Sequence, residues 1–200
     1  SDNLDLQGNI TFSAWTPQPT LVLMSGNEFT IQSDATVSYP GGSLTLLSGG
    51  DLSVNNANLI AGDELSLKSL QNLSLTNSTI EAKQARLEAA SKLSLNTVGF
   101  GSNLSTLYLQ ATTVNLSNVD FPYGTDVTLK SELGGIDGRY PNFGNIETGR
   151  VNFINDVKYG GNSIDSQQSF DQHGGFIKIG TISGSPDNPA PGQYTAPGQY

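Results

Sequence analysis

The sequence of 200 residues contains no cysteine, one histidine and one tryptophan. The absence of cysteine excludes disulfide bonds, cysteine-ligated zinc and a cysteine nucleophile. Charged side chains make up only 14% of the residues, well below the roughly 25% that is usual in soluble domains. Basic residues number 9 and acidic residues 18, so the net charge of -9 argues against nucleic acid as a partner and against attachment to an anionic membrane.

Long apolar runs are also missing. No stretch approaches 18 consecutive apolar residues, so we expect neither a signal segment nor insertion into a membrane. The sequence begins with Ser1 rather than Met, and we expect it to be a segment of a longer protein. The Gly-x-Ser-x-Gly, Walker and His-Glu-x-x-His motifs do not occur. We therefore expect no cofactor and no catalytic residues.

Small polar residues and a short repeat take the place of these features. Ser, Thr, Asn and Gly together account for 81 of the 200 residues. Apolar residues alternate with polar ones in short triplets, and this period of two predicts strands. Equivalent triplets recur every 20 to 22 residues, and a second and a third series keep the same spacing. The three series are marked by Leu44, Leu65, Ala85, Leu107 and Val127, by Leu52, Leu73, Leu93 and Val114, and by Leu59, Ile80, Phe100 and Phe121.

Strands that recur once per repeat cannot pair within their own repeat, so each must pair with its equivalent one repeat away. This arrangement is an all-β, single-stranded parallel β-helix, a solenoid with three strands per turn of about 20–21 residues. We expect about seven turns, stacked at the strand spacing of about 4.8 Å. The inward side chains should form continuous columns, one with Leu46, Leu67, Leu87, Leu109 and Leu129 and another with Ile31, Val54, Leu75, Leu95 and Leu116.

A corner is predicted between the second and third strands of each turn. Asn56, Asn77 and Asn118 occupy equivalent positions there, and Thr97 is the exception. Asn tolerates the left-handed backbone conformation that a sharp corner needs, and stacked copies can bond their amides from turn to turn. The segment 81–90 has high helix propensity, but a helix would interrupt columns that continue on both sides of it. We therefore predict a strand at 85–87.

The rhythm changes toward the C-terminus. The segment 151–155 restores the second strand, with Asn155 at the corner, and 176–179 resembles a further first strand. We predict a solenoid over 1–180 with a capping region at its C-terminal end. Long loops are inserted at 131–150 and 160–175, and residues 181–200 form a flexible tail rich in Pro and Gly.

The runs Gly49–Leu59 and Ala61–Leu67 resemble the degenerate repeats of bacterial large exoproteins of the filamentous-haemagglutinin type. The resemblance covers roughly residues 20–130 and, more weakly, 151–180. It implies a right-handed coil, a secreted or cell-surface location, and a non-enzymatic role as adhesin, spacer or carrier. The implied partner is a ligand on a host or neighbouring cell, with glycans among the candidates.

The inserted loops hold the densest mixture of polar and aromatic side chains, and loops on a rigid stack carry function without disturbing it. These loops either cover the end of the stack or bind a ligand, and an uncapped end could also associate with another copy end to end. Calcium could in principle use Asp156, Asp165 and Asp171, but no EF-hand spacing is present, so we predict no metal site. The candidate ligand-binding residues are Asp137, Arg139, Tyr140, Asn142, Phe143, Asp165, Asp171 and His173.

The alternative function is a carbohydrate-active enzyme, a polysaccharide lyase or glycosidase, or a remnant of one. Such enzymes use carboxylates on the outer wall of successive turns as acid and base. Glu81 and Asp120 would lie two turns apart on the third-strand wall, at about 9 to 10 Å. No basic or aromatic residue of the repeat completes a site around them, and we expect a solvated surface instead.

Overall fold

The computed structural model describes residues 2–13, 20–131, 149–163, 170–172, 176–179 and 194–195. Within these residues all regular structure is β, and the strands form two large sheets. Strands of successive turns pair in parallel, which confirms a β-solenoid with three strands per turn. The solenoid has about six turns rather than seven. The predicted strand at 85–87 is confirmed, because it lies within the strand Gln84–Ala89.

Each turn contributes a strand to three walls, which we number in the order in which the chain visits them from β3 (Thr20–Ser25) onward. The first wall consists of β3 (Thr20–Ser25), β6 (Ser43–Ser48), β9 (Glu64–Ser69), β11 (Gln84–Ala89), β13 (Thr106–Ala111) and β15 (Asp126–Ser131). In the early turns the second wall consists of β1 (Leu4–Leu6), β4 (Phe29–Ile31) and β7 (Leu52–Asn55), and the third of β2 (Asn9–Thr11), β5 (Thr36–Tyr39) and β8 (Asn58–Ala61). Later strands span both of these walls, namely β10 (Asn72–Glu81), β12 (Lys92–Phe100), β14 (Thr113–Phe121) and β16 (Gly149–Tyr159).

The core is a set of apolar columns that run along the axis of the solenoid. Leu67 lies opposite Leu46 and Leu87, and Leu75 lies opposite Val54 and Leu95. The members of both predicted columns are 0% or 1% exposed, which confirms the predicted inward register. Removal of each leucine side chain from water contributes about 1.5–3 kcal/mol, so these columns are the main favourable term in the stability of the fold.

The predicted corner is confirmed by its backbone conformation. Asn56, Asn77 and Asn118 have φ values of 48°, 49° and 53°, and Thr97 adopts the same left-handed conformation at 55°. A single left-handed residue redirects the chain without ending the strand, so β10, β12 and β14 pass from the second wall to the third. The amide-to-amide bonding that we predicted is not seen between the described corner asparagines, and the Asn56 Nδ2 instead donates to the carboxylate Oδ1 of Asp34 in the preceding turn at 2.7 Å.

A ladder of buried serines stabilises the corner between the first and second walls. The Ser48 hydroxyl lies 2.6 Å from the carbonyl oxygen of Asn27 in the preceding turn and 2.8 Å from that of Asp51. Ser69 repeats this arrangement one turn later with Gly50 and Asn72. The Asn27 and Asp51 oxygens also accept the backbone N–H groups of Gly50 and Phe29. The serine hydroxyl, whose single hydrogen lies between two carbonyl oxygens, therefore adds a side-chain bond to the backbone bonding of the corner.

The C-terminal turns differ from the prediction in two respects. The segment Phe176–Ile179, β19, lies on the first wall as predicted, but it pairs with β15 in the antiparallel direction. It is therefore not a further turn, which accounts for the lower number of turns. A register shift after Leu116 places Asn155 opposite Ser117. Asp156 therefore lies opposite the corner residue Asn118, and the prediction that Asn155 occupies the corner is wrong.

Two short strands lie within the range 160–175. β17 (Asn162–Ser163) pairs with the end of β16, and β18 (Phe170–Gln172) pairs with its beginning. Both pairings are antiparallel. A last strand, β20 (Tyr194–Thr195), lies beside β19.

Candidate functional site

Most of the ligand-binding residues that we predicted from sequence lie outside the described residues. These are Asp137, Arg139, Tyr140, Asn142, Phe143, Asp165 and His173. Asp171 is placed by its backbone: it lies in β18, opposite Arg150 of β16 on the second wall. Two other residues were considered as calcium ligands together with Asp171. Asp156 lies in the second half of β16, away from Arg150, and Asp165 lies outside the described residues.

The inserted segment has a defined place in the fold because both of its ends are described. The chain leaves the first wall at Ser131 and returns to the second wall at Gly149. One turn earlier the same corner is crossed by Thr112 alone, and two turns before that by Leu70 and Gln71. Strand β16 nevertheless pairs with β14 in parallel, so the solenoid continues across the insertion.

The alternative pair of carboxylates does not form a matched pair across the third wall. Val98 lies opposite Val119, so Asp120 belongs to the row that contains Thr79. Glu81 lies one outward position further along its strand. The two α-carbons are therefore two turns and two residues apart, or about 12 Å, and not the 9 to 10 Å that we predicted.

The Asp120 carboxylate has a structural partner. Its Oδ1 accepts a hydrogen bond from the backbone N–H of Gly161 at 3.1 Å. Gly161 belongs to the turn between β16 and β17, so this carboxylate binds the polypeptide itself. Glu81 is exposed, and its side chain lies beside Gly101 of the next turn. This geometry brings no acid and base together.

The most developed side-chain cluster lies on the outer face of the first wall, and we call Arg86, Glu88, Tyr108 and Gln110 the outer-wall cluster. The Arg86 guanidinium lies over the Tyr108 ring at 4.4 Å from its centroid and forms an ion pair with Glu88. Its Nε lies 2.7 Å from Glu88 Oε1. The Tyr108 hydroxyl donates to Gln110 Oε1 at 2.8 Å. Neighbouring turns stack at the strand spacing, so these four long side chains cover one another. Lys68 and Lys130 lie in the same outward row as Glu88 and Gln110.

The charges within this cluster satisfy each other. The Glu88 side chain is only 6% exposed although it lies on an outer face, and the Arg86 side chain is 46% exposed. Burial lowers the pKa of Arg86, but the hydrogen bond and the negative charge of Glu88 outweigh it, so the pKa is raised. Arg86 is therefore a permanent cation, and the Glu88 carboxylate beside it compensates its charge.

Arg86 and Tyr108 are not among the candidate residues that we predicted from the sequence. The useful signal was their spacing. The two residues are one turn apart at the same position of the repeat, and Glu88 and Gln110 follow each of them by two residues. On a parallel sheet this spacing brings all four side chains to one outer face.

Neither a metal site nor a membrane span is found in the part of the chain that the structure describes. No group of three or more His, Asp or Glu side chains there is close enough to bind a metal ion. No helix long and apolar enough to cross a membrane occurs among the same residues.

Comparisons with protein-family models, with curated proteins and with solved structures found no match to this chain.

Proposed function

We propose that this chain is a non-enzymatic structural and adhesive module of a secreted or surface-displayed bacterial exoprotein. In this proposal the solenoid supplies rigid length, and the inserted segments carry the contact with a ligand on a host or neighbouring cell. The sequence resemblance to exoproteins of the filamentous-haemagglutinin type supports the location and the class. A glycan is the ligand class that we favour, because cell surfaces present glycans most prominently.

One observation carries the proposal. Parallel pairing continues from β14 to β16 although residues 132–148 are inserted between the first and second walls. A scaffold that keeps its parallel pairing across a long insertion can display different segments at the same corner without loss of the core. This is the property required of a display module.

The outer surface of the solenoid is consistent with a spacer. Ser53, Ser74, Ser94 and Asn115 form one outward row of the second wall, and the charged outer-wall cluster is internally paired. Short polar side chains bind water well and offer little apolar area for nonspecific association. The carbohydrate-active alternative gains no support from the arrangement of Glu81 and Asp120 described above.

Binding of the full chain to a glycan array and to bacterial and epithelial cells tests the adhesive role. The matched variant replaces residues 132–148 with a Gly-Ser dipeptide, because two residues, Leu70 and Gln71, cross the same corner in an earlier turn. We expect the full chain to bind and the variant to lose binding while its circular dichroism spectrum is kept.

A second variant controls for the solenoid surface. Arg86→Ala combined with Tyr108→Ala alters the outer-wall cluster and leaves the inserted segment intact. Loss of binding in this variant, with normal binding after replacement of 132–148, would assign the contact to the wall and refute the role of the insertion. Absence of binding by every version would refute the adhesive role.

A further inference from the structure

After β16, the strands β17, β18 and β19 pass along the three walls in the reverse order. In each preceding turn the chain visits the first, second and third wall in that sequence. After β16 it pairs with the third wall as β17, with the second wall as β18 and with the first wall as β19. All three pairings are antiparallel. We call β17, β18 and β19 together the counter-wound turn.

The reversal takes place in a two-residue turn. Tyr159 of β16 lies opposite Asn162 of β17, which leaves Gly160 and Gly161 as the loop. Their φ values are 55° and 78°. Two-residue hairpins of this kind need positive φ at both central positions, and Gly adopts such values without a steric penalty. The Gly-Gly pair therefore encodes the change of direction.

Residues of the preceding turn clamp the reversal. The Gly160 N–H donates to the carbonyl oxygen of Phe121 at 2.7 Å, and the Gly161 N–H donates to the Asp120 carboxylate at 3.1 Å. A Cβ at position 160 would stand 2.9 Å from the Cβ of Tyr123, so the tyrosine closes over the turn. These three contacts, from Asp120, Phe121 and Tyr123, fix the position at which the counter-wound turn begins.

The counter-wound turn pairs with part of the last parallel edge on every wall: β17 with Lys158 and Tyr159, β18 with Gly149, Arg150 and Val151, and β19 with residues 127–130. Without it, β15 and β16 would present the same parallel edge that β13 and β14 present to them. At the other end, β1, β2 and β3 each pair with one neighbour among the described strands, and the inward side chains of Leu6, Leu21 and Leu23 remain partly exposed. These N-terminal strands therefore run in the direction that is needed to pair in parallel with β15 and β16 of a second copy. Their inward leucines would continue the apolar columns of that copy.

We propose that the counter-wound turn is a stop cap that withholds the last parallel edge of the solenoid from a second copy of this chain. Unpaired strand edges are templates for further strands, and solenoids need capping units to stay soluble. Addition of one copy to the end of another is a head-to-tail contact that does not close, so it leads to open filaments. The Gly160–Gly161 turn, held by Asp120, keeps the cap in place. This proposal is independent of the adhesive function.

The test uses the full chain with Gly160→Val and Gly161→Val together, which opposes the positive φ values and the close approach of Tyr123. The matched control is Gly26→Val, because a Cβ at position 26 meets no atom within 4 Å. Hydrogen exchange and sedimentation velocity over a range of concentrations are measured. We expect exchange in β17–β19 to become at least about tenfold faster while β10–β14 stay protected. We also expect assemblies that grow with concentration in the double variant only.

The complementary edge is tested in the same double variant. Leu23→Lys places a charge on the inward side of the β3 edge and should restore the monomer. Val22→Lys, on the outward side of the same strand, should not restore it. Faster exchange in β17–β19 with a monomer at all concentrations would refute the stop cap, and so would unchanged exchange in those strands. If the double variant loses protection in β10–β14, Asp120→Ala, which removes only the clamp, is measured by the same two methods.

Discussion

Gly62 lies directly against the carbonyl of Pro40 in the preceding turn. A Cβ at position 62 would stand 2.2 Å from the Pro40 oxygen, a distance that real Cβ atoms do not adopt. The Gly62 N–H meanwhile donates to the carbonyl oxygens of Tyr39 and Gly42, both at 3.0 Å. Two successive turns can therefore keep the strand spacing at this corner only because residue 62 has no side chain.

Gly62→Ala is expected to destabilise the protein by about 2 kcal/mol or more, because backbone and not a flexible side chain must move to admit the methyl group. The matched variant is Gly99→Ala, where the nearest side-chain atom is the Cγ2 of Thr79 at 3.5 Å. Its cost should be near zero or slightly favourable, since alanine restricts the unfolded chain. Urea unfolding of both variants measures the difference. Equal midpoints would contradict the close approach at Gly62.

Substitution within an apolar column should be far more costly than substitution beside it. Leu75 is 0% exposed, and the adjacent Ser74 faces outward on the same strand. Leu75→Asp buries a carboxylate without a partner and is expected to cost about 3–5 kcal/mol. Ser74→Asp should cost less than about 1 kcal/mol. Denaturant unfolding followed by circular dichroism compares them, and similar losses in the two variants would refute the inward register.

The corner position favours Asn over Thr for a reason that a reciprocal exchange can measure. Thr97 has a φ of 55°, and a β-branched residue is strained in this left-handed region. Thr97→Asn is therefore expected to stabilise the protein by about 1 kcal/mol, and Asn77→Thr to destabilise it by a similar amount. Thermal unfolding of the two single variants gives both signs. A loss of stability in Thr97→Asn would show that the threonine makes a compensating contact.

The columns and corners could be predicted from the sequence because both depend on local chemistry that repeats. The spacing of 20 to 22 residues fixes which side chains stack, and the alternation within each triplet fixes which of them point inward. The left-handed corner follows from Asn56, Asn77 and Asn118 at equivalent positions. Even Thr97, the exception in composition, keeps the conformation, because the neighbouring turns determine the path of the chain.

The direction of β19 could not be predicted in the same way. A period-two pattern such as Phe176–Ile179 fits a parallel or an antiparallel neighbour equally well, because side chains alternate in both. The register of β16 was hidden for a related reason. One extra residue moves every later position to the other face, and Asn155 and Asp156 are both acceptable at a left-handed corner.

The separation of Glu81 and Asp120 was misjudged because turn counting gives the rise along the axis but not the offset along the strand.

The serine ladder was missed because a lone serine at the end of a strand carries no signal by itself. Only the recurrence of Ser25, Ser48 and Ser69 at the same point of successive turns could have revealed it. The predicted ligand-binding residues in the insertion belong to no repeat, so stacking arguments do not place them.

Replacement of one partner of the Arg86–Glu88 ion pair is expected to lower the free energy of unfolding more than replacement of both partners. Arg86→Met leaves the Glu88 carboxylate, whose side chain is 6% exposed, without its guanidinium partner. We expect a cost of about 2 kcal/mol, reduced from the value for fully buried pairs because the Arg86 side chain is 46% exposed. Replacement of both residues, Arg86→Met with Glu88→Met, should recover most of this loss, because it removes the unpaired charge and keeps packing against Tyr108. Urea unfolding of the two single variants and the double variant forms a double-mutant cycle, and additive losses would show that the two charges are not coupled.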